Sequence, residues 1–176
     1  MTTSESLLAL VRDHRLRLVA LTWLDCRGDR LVPDRADLDP AALASVLPHM
    51  WVNEFDTATG RFRCRLAGAT VNAMYGVHLR GRFLDEYLPP DLYARLAEPY
   101  RRALEVPGIV HVTARLKGET AEHDIVGERL VLPARGANGL TDLLVGATVY
   151  DVVMPAEDRV RASEDLVISF LPLTAP

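Results

Sequence analysis

The chain has 176 residues, of which 49% are hydrophobic and 25% are charged, and its formal net charge is −4 at pH 7. This composition supports one ordinary domain with a real apolar core and excludes an intrinsically disordered chain. Because the basic residues are interleaved with acids, we expect no nucleic-acid partner. With no run of 18 apolar residues and no signal peptide, the sequence predicts a cytoplasmic protein without membrane insertion.

The first predicted element is a helix over Ser4–Leu24. Along it, one stripe of side chains repeats at spacings of three and four residues and consists of Leu7, Val11, His14, Leu18 and Leu21. Such a stripe packs on the domain's own sheet, or it forms the seam of a homodimer. Both interpretations stay open, and they are compatible with each other.

A second helix and a hairpin are predicted next. Asp39 as the cap and Pro40 at the first helical position predict a helix that runs to Val46. The residues Met50–Phe55 have the composition of a strand. The polar segment D-T-A-T-G that follows predicts a hairpin turn with glycine at its end.

The stretch Arg61–Arg82 begins with strict alternation, which is the period of a half-buried strand. One face of this strand carries Phe62, Cys64 and Leu66, and the other carries Arg61, Arg63 and Arg65. A short helix capped by Thr70 and ended by Gly76 follows. A strand that runs into a short helix of small residues makes a concave wall, where we expect a binding pocket.

The rest of the chain carries helices and then strands. Phe83–Tyr87 predicts one helical turn, and Asp91–Leu104 predicts a longer helix that Pro99 kinks or splits. Gly127 predicts a bulge in the second of the strands that follow. These strands are Gly108–Lys117, Ile125–Leu132 and Leu143–Val153, and turns are predicted between them at 118–124 and 136–139. The order predicts an α+β fold with a five-stranded antiparallel sheet and helices over one face.

Five segments, taken together, resemble the PAS superfamily. They are P-D-R-A-D-L-D-P at 33–40, L-P-H at 47–49, F-R-C-R-L-A-G-A-T at 62–70, M-Y-G-V-H-L-R-G-R-F-L-D-E at 74–86 and R-L-V-L-P at 129–133. The sequence is most similar to a bacterial subfamily of stand-alone PAS proteins with a helical N-terminal segment. The resemblance implies a PAS-like fold and a sensory or regulatory role, but it supplies no ligand. It divides the chain into an N-terminal helix (1–30), a PAS-like domain (31–155) and a tail (156–176).

Residues with reactive side chains are scattered, and they predict neither a metal site nor an enzyme. No metal-ligand spacing connects the histidines, which are His14, His49, His78, His111 and His123. Cys26 and Cys64 lack paired spacing and are interpreted as reduced thiols, with Cys64 in the core. The sequence contains no nucleophile elbow, no phosphate-binding glycine loop and no carboxylate pair in an apolar context.

The resemblance disfavours haem and flavin-adduct chemistry, so no cofactor is assigned. Haem-binding PAS domains commonly use a histidine on the long helix before the third strand, where this chain offers only Tyr93 and Tyr100. Light-sensing relatives carry a reactive cysteine in a helix of the type G-x-N-C-R-F-L-Q. The corresponding string here, G-R-F-L-D at 81–85, lacks that cysteine.

The candidate ligand pocket lies between the sheet and the short helices. Its predicted lining is Trp51, Phe62, Cys64, Leu66, Met74, Tyr75 and Phe83. Occupancy of the pocket would alter the sheet, and the N-terminal helix or an exposed face would report the change. The row of Arg61, Arg63 and Arg65 is either an ordinary solvated face or a contact for a protein partner or an anionic ligand.

The sequence therefore predicts a sensory or regulatory PAS module that acts through protein–protein contact, with or without a small molecule in the pocket. A first alternative is a ligand-free interaction or localisation scaffold whose cavity is filled by its own side chains. A second alternative is a small α+β isomerase or hydrolase, which would need a buried carboxylate among apolar neighbours.

Overall fold

The computed structural model describes residues 3–116, 125–150 and 165–174. Its helices are α1 (Thr3–Leu10), α2 (His14–Arg27), α3 (Ala69–Tyr75), α4 (Leu84–Tyr87) and α5 (Pro90–Glu105). Its strands are β1 (Met50–Asp56), β2 (Arg61–Ala67), β3 (Gly108–Leu116), β4 (Ile125–Arg135), β5 (Thr141–Tyr150) and β6 (Asp165–Pro172). The strands form one antiparallel sheet in the order β2-β1-β5-β4-β3-β6, and α3, α4 and α5 connect β2 to β3.

The predicted α+β class and antiparallel sheet are confirmed. The sheet has one strand more than the five predicted, because the apolar segment of the tail forms β6 along the edge of β3. The register of this pair runs from Gly108 opposite Pro172 to Arg115 opposite Asp165. The tail sequence alone does not place this strand, since a short apolar run fits a strand and a buried helix equally well.

The N-terminal segment forms two helices, so the prediction of one helix over Ser4–Leu24 is wrong. Asp13 separates them and caps α2, because its carboxylate accepts a hydrogen bond of 2.8 Å from the backbone N–H of Arg15. A capping residue has an extended backbone, here φ −69° and ψ 131°, and therefore interrupts a continuous helix. Gly28, with φ 54°, ends α2.

The predicted helix from Asp39 to Val46 is replaced by consecutive turns. Backbone hydrogen bonds in this segment span three residues, as from the N–H of Leu43 to the carbonyl of Pro40. Asp39 still acts as a cap, and its Oδ1 accepts from the N–H of Ala41 at 2.8 Å. Leu43 and Val46 are buried, so tertiary packing rather than helix propensity sets this conformation.

The structure gives two details of the helices that are predicted over the pocket. α3 begins with Gly68 as its cap rather than Thr70, and a Cβ at Gly68 would lie 2.2 Å from the carbonyl oxygen of Leu47. This close approach requires glycine. α5 is a single helix across Pro99, so the helix is not split there.

The predicted bulge at Gly127 is wrong, because the register of β4 with both neighbours is continuous there. A Cβ at Gly127 would lie 2.4 Å from the ring of Tyr150, so this glycine serves close packing instead. The β4–β5 turn is confirmed, with Gly139 at φ 77°. Three predicted features lie outside the described residues: the turn at 118–124, the end of the first predicted strand of this region at Lys117, and residues 151–153 of the last one.

Helices cover both faces of the sheet, which we call the N-terminal face and the pocket face. The N-terminal face packs against α1, α2 and the turns before β1, and the pocket face packs against α3, α4 and α5. Leu130 and Leu132 of β4 belong to the first core, whereas Val131 between them belongs to the second. The interpretation in which the N-terminal stripe packs on the domain's own sheet is therefore confirmed for Leu7 and Val11, which are 0% and 1% exposed.

None of the helices in the described part of the chain is long and apolar enough to cross a membrane.

Candidate functional site

A small cavity lies on the pocket face, between the centre of the sheet and α3, α4 and α5. Its lining consists of Trp51, Asn53, Val71, Tyr75, Leu79, Leu84, Tyr87, Leu88, Tyr100, Arg129 and Thr148. The cavity has a volume of about 10 Å³, which is room for one water molecule. In this conformation the protein's own side chains nearly fill the pocket.

Arg129 is the charged group of this pocket, and it projects from β4 towards the helices. Its Nε donates to Oγ1 of Thr148 at 3.0 Å, and its Nη1 donates to the hydroxyl of Tyr100 at 3.1 Å. Its Nη2 donates to the hydroxyl of Tyr75 at 3.2 Å. The guanidinium therefore connects β5, α5 and α3 through three neutral oxygens.

The aromatic wall beside Arg129 is closely packed. The rings of Trp51 and Tyr100 stack with centroids 6.1 Å apart, and Nε1 of Trp51 donates to Oγ1 of Thr148 at 3.0 Å. Gly146 faces Trp51 across the sheet, and a Cβ there would lie 2.3 Å from the indole ring. A larger residue at this position would clash with the indole ring, so the position requires glycine.

The positive charge of Arg129 has no negative counterpart in the described part of the pocket. Burial raises the pKa of Tyr100 and raises that of Tyr87 well above its usual value, so both phenols are neutral at physiological pH. A guanidinium stays protonated in proteins. Among residues 3–116, 125–150 and 165–174, no carboxylate lies within ion-pair distance of Arg129.

A buried amide adds unused hydrogen-bonding capacity to the pocket. Asn53 is 2% exposed and lines the cavity, and its Oδ1 has no hydrogen-bond partner in the described structure. A buried acceptor without a partner costs about 1–3 kcal/mol. Such a group in a native fold calls for an explanation, for instance a bound water or ion, and here it lies in the same cavity as an unbalanced charge.

The structure places six of the seven residues predicted to line the pocket in three groups. Trp51 and Tyr75 line the cavity. Phe62 and Cys64 are buried in the same core, where Phe62 packs edge-to-face against Tyr100. The cavity lining includes neither of the other predicted residues on the pocket face, Met74 and Phe83.

Leu66 lies on the N-terminal face, so the predicted alternation of Phe62, Cys64 and Leu66 is wrong at its last position. The β1–β2 register shifts there: Val52 is opposite Leu66, whereas Asn53 is opposite Cys64. The extra residue on β2 moves the following side chain to the opposite face. Leu66 accordingly lines a second, mainly apolar hollow on that face.

Cys64 is not poised for thiol chemistry. Burial raises the pKa of its thiol to about 11, and the thiol donates to the carbonyl of Leu66 at 3.3 Å. Almost none of it is thiolate at neutral pH, and the thiolate is the nucleophile.

Each arginine of the predicted contact row has an acidic neighbour. Arg61 donates to Asp85 and Glu86 of α4 and lies 3.7 Å from the ring centre of Phe83. Arg63 Nη2 lies 3.6 Å from a carboxylate oxygen of Asp56, and Arg65 Nε lies 3.4 Å from one of Glu54. Exposed ion pairs of this kind are weak, so the three arginines could exchange their acidic neighbours for a binding partner. The row as a partner contact remains a prediction.

The predicted dimer seam does not form one exposed stripe. Leu7 and Val11 are buried within this chain, whereas the His14 side chain is 90% exposed and Leu21 is 46% exposed. The break at Asp13 places Leu7 and Leu21 on two different helices, α1 and α2. A homodimer remains a prediction, and it would use the outer side of α2.

On the N-terminal face, a buried carboxylate connects the sheet to the junction of α1 and α2. His111 Nε2 lies 2.6 Å from Oε1 of Glu128, and both residues are almost fully buried. The two carboxylate oxygens of Glu128 also accept the backbone N–H groups of Arg12 and Asp13, at 2.8 and 2.7 Å. We call this arrangement the Glu128 clasp.

Burial raises the pKa of Glu128, but the hydrogen bonds from His111 and from the N–H groups of Arg12 and Asp13 outweigh it and hold the pKa below its usual value. Glu128 is thus ionised at neutral pH. It is the residue next to Arg129, and the two side chains leave β4 on opposite faces. One strand therefore carries the charged group of the pocket and the attachment point of the N-terminal helices.

Sequence reasoning missed the polar part of the pocket, which is Asn53, Arg129 and Thr148. The signal lies in V-G-E-R-L-V-L-P, where two charged residues interrupt a strand that is otherwise apolar. The described residues contain no group of three or more potential metal ligands, and His123 lies outside them.

A comparison with models of protein families identifies the family of this chain. A family model described as PAS domain matches residues 11–149. The chain therefore belongs to the PAS domain family. No curated protein matches it significantly.

Solved structures similar to this chain include a LOV protein of Rhodobacter sphaeroides, with 14% identity over 65% of this chain and 67% of that one, and a TM-score of 0.44. A sensory box histidine kinase/response regulator from Burkholderia thailandensis E264 matches with 16% identity over 64% and 85% of the two chains, and a TM-score of 0.38. The periplasmic sensor domain of a chemotaxis protein matches with 16% identity over 85% and 90%, and a TM-score of 0.37. These similarities are distant, and membership of the family rests on the family model.

Proposed function

We propose that the chain is a regulatory PAS module in which the state of the pocket controls how the N-terminal helices are held on the sheet. The observation that carries the proposal is the adjacency of Arg129 and Glu128 on β4. Arg129 bonds to the helices over the pocket, and Glu128 bonds to the junction of α1 and α2. A change in one contact therefore acts on the other through a single peptide unit.

The output of such a module is a protein contact. When the Glu128 clasp loosens, α1 and α2 expose the apolar side chains that they pack on the sheet, among them Leu7, Leu16 and Trp23. A newly exposed apolar surface is suited to binding a protein partner or a second copy of the chain. Pocket and helices then behave as a two-state element whose populations a ligand shifts.

The competing function is a scaffold without a ligand, which the small volume of the cavity favours. In a scaffold the two faces of the sheet would be energetically independent. Coupling between the pocket and the clasp separates the two functions.

Removal of the Tyr75 hydroxyl tests this coupling. We expect Tyr75→Phe, which deletes the bond to Nη2 of Arg129, to change the exchange protection of the Arg12 and Asp13 amides several-fold. Amide hydrogen exchange by NMR measures the effect. Tyr93→Phe is the matched control, because Tyr93 lies on the same face but outside the cavity lining. Equal protection in both variants and the wild type would favour the scaffold.

A further inference from the structure

We propose that the pocket binds a small carboxylate that also carries a hydrogen-bond donor, as a 2-hydroxy acid does. This inference rests on the proposed function, because it names the ligand class of the same pocket. Two observations lead to it: Arg129 has only neutral partners in the described structure, and the buried amide oxygen of Asn53 has none.

The charge of Arg129 selects an anion. The three hydroxyl groups that accept its hydrogen bonds orient the guanidinium, but they do not compensate its charge. A partly buried charge without a counterion is costly, and a carboxylate is the partner that matches the planar fork of a guanidinium. No carboxylate of the described residues reaches Arg129, so we assign the counterion to a ligand.

Asn53 selects the second group of the ligand. It lies two residues from Trp51 on the same face of β1, so its side chain enters the same cavity. Its Oδ1 is an acceptor, and a hydroxyl or N–H of the ligand satisfies it. A ligand with a donor close to its carboxylate would therefore engage both groups at once.

Tyr75 occupies the position that the ligand would take at Arg129. Its hydroxyl accepts from Nη2, and its ring packs edge-to-face on Tyr87 with centroids 5.1 Å apart. Tyr75 is the last residue of α3, immediately before Gly76 with φ 68°. If the Tyr75 side chain rotated away, a carboxylate oxygen of the ligand would replace its phenol as the acceptor for Nη2 of Arg129. The space so created limits the ligand to about the size of the displaced phenol.

Calorimetric titration of the full chain tests this proposal with three probes at constant ionic strength: lactate, acetate and lactamide. We expect lactate to bind, acetate to bind more weakly, and lactamide to bind at least about tenfold more weakly than lactate. Absence of binding by lactate at millimolar concentration overturns the proposal. Equal binding of lactate and lactamide also overturns it, although the proposed sensory pocket would then stand.

Three variants assign the binding to the named residues. We expect Arg129→Gln to weaken lactate binding about 30-fold or more, and Arg129→Lys to be intermediate because it keeps the charge but loses the fork. Asn53→Leu should reduce the affinity for lactate to that for acetate, and it removes an unsatisfied amide rather than a packed side chain. Arg101→Gln is the control, since it removes an equal charge from the exposed face of α5. Equal loss of lactate binding in the control would overturn the assignment.

Discussion

Replacing Trp23 by alanine is expected to lower the free energy of unfolding by about 3–5 kcal/mol. The indole of Trp23 on α2 is 0% exposed, and its Nε1 donates to the carbonyl of Pro133 on β4 at 2.9 Å. The substitution would leave a large cavity between helix and sheet and would remove a hydrogen bond to a buried carbonyl. Urea denaturation of the variant and the wild type measures the difference.

Leu21→Ala on the same helix is the control for this prediction. Leu21 is 46% exposed, so we expect its truncation to cost less than about 1 kcal/mol. A similarly small loss for Trp23→Ala would mean that α2 does not share the core in solution. The large loss would instead show that the N-terminal residues 1–30 and the PAS-like residues 31–155 unfold as one unit.

Glu128→Gln is expected to destabilise the protein by about 3 kcal/mol at neutral pH. The carboxylate accepts three hydrogen bonds, and an amide of the same shape turns its NH₂ group towards at least one of the donors. Glu54→Gln is the matched control, because Glu54 pairs with Arg65 at the surface at 3.4 Å, where an ion pair contributes little. A loss no larger than in the control would contradict the role of the clasp.

The same variant has a pH signature with a definite sign. Because the pKa of Glu128 is lowered in the folded state, its contribution to stability is complete above about pH 4.5 and disappears as the pH falls through the folded pKa. The difference in stability between wild type and Glu128→Gln should therefore narrow in acid. The pKa of Asp13 is also lowered, mainly by its hydrogen bond from Arg15. Asp13 is present in both proteins, so its contribution to stability cancels in the difference. A constant difference down to pH 3 would contradict the prediction.

Much of this fold is predictable from local signals in the sequence. The glycines that end the β1–β2 turn, α3 and the β4–β5 turn act at positive φ where a side chain would be strained, so each predicts its turn directly. The alternation of β2 predicts a strand, and Phe62 and Cys64 are buried as expected. These features depend only on neighbours in the chain.

The remaining features depend on distant parts of the chain. The extra residue in β2 reverses the side of Leu66, and only the pairing with β1 reveals it. Asp13 ends one helix and caps the next in a geometry that includes Glu128, 115 residues away. The polar pocket is hidden for the same reason, since Arg129 becomes unusual only when both faces of β4 are covered.

The coupling of pocket and helices is the central claim, and one titration tests it directly. Lactate binding would be followed by calorimetry, while amide exchange at Arg12 and Asp13 reports the Glu128 clasp in the same samples. We expect the protection of both amides to change with lactate, with a half-saturation equal to the calorimetric Kd. Saturation of the pocket with no change in protection at either amide would contradict the claim.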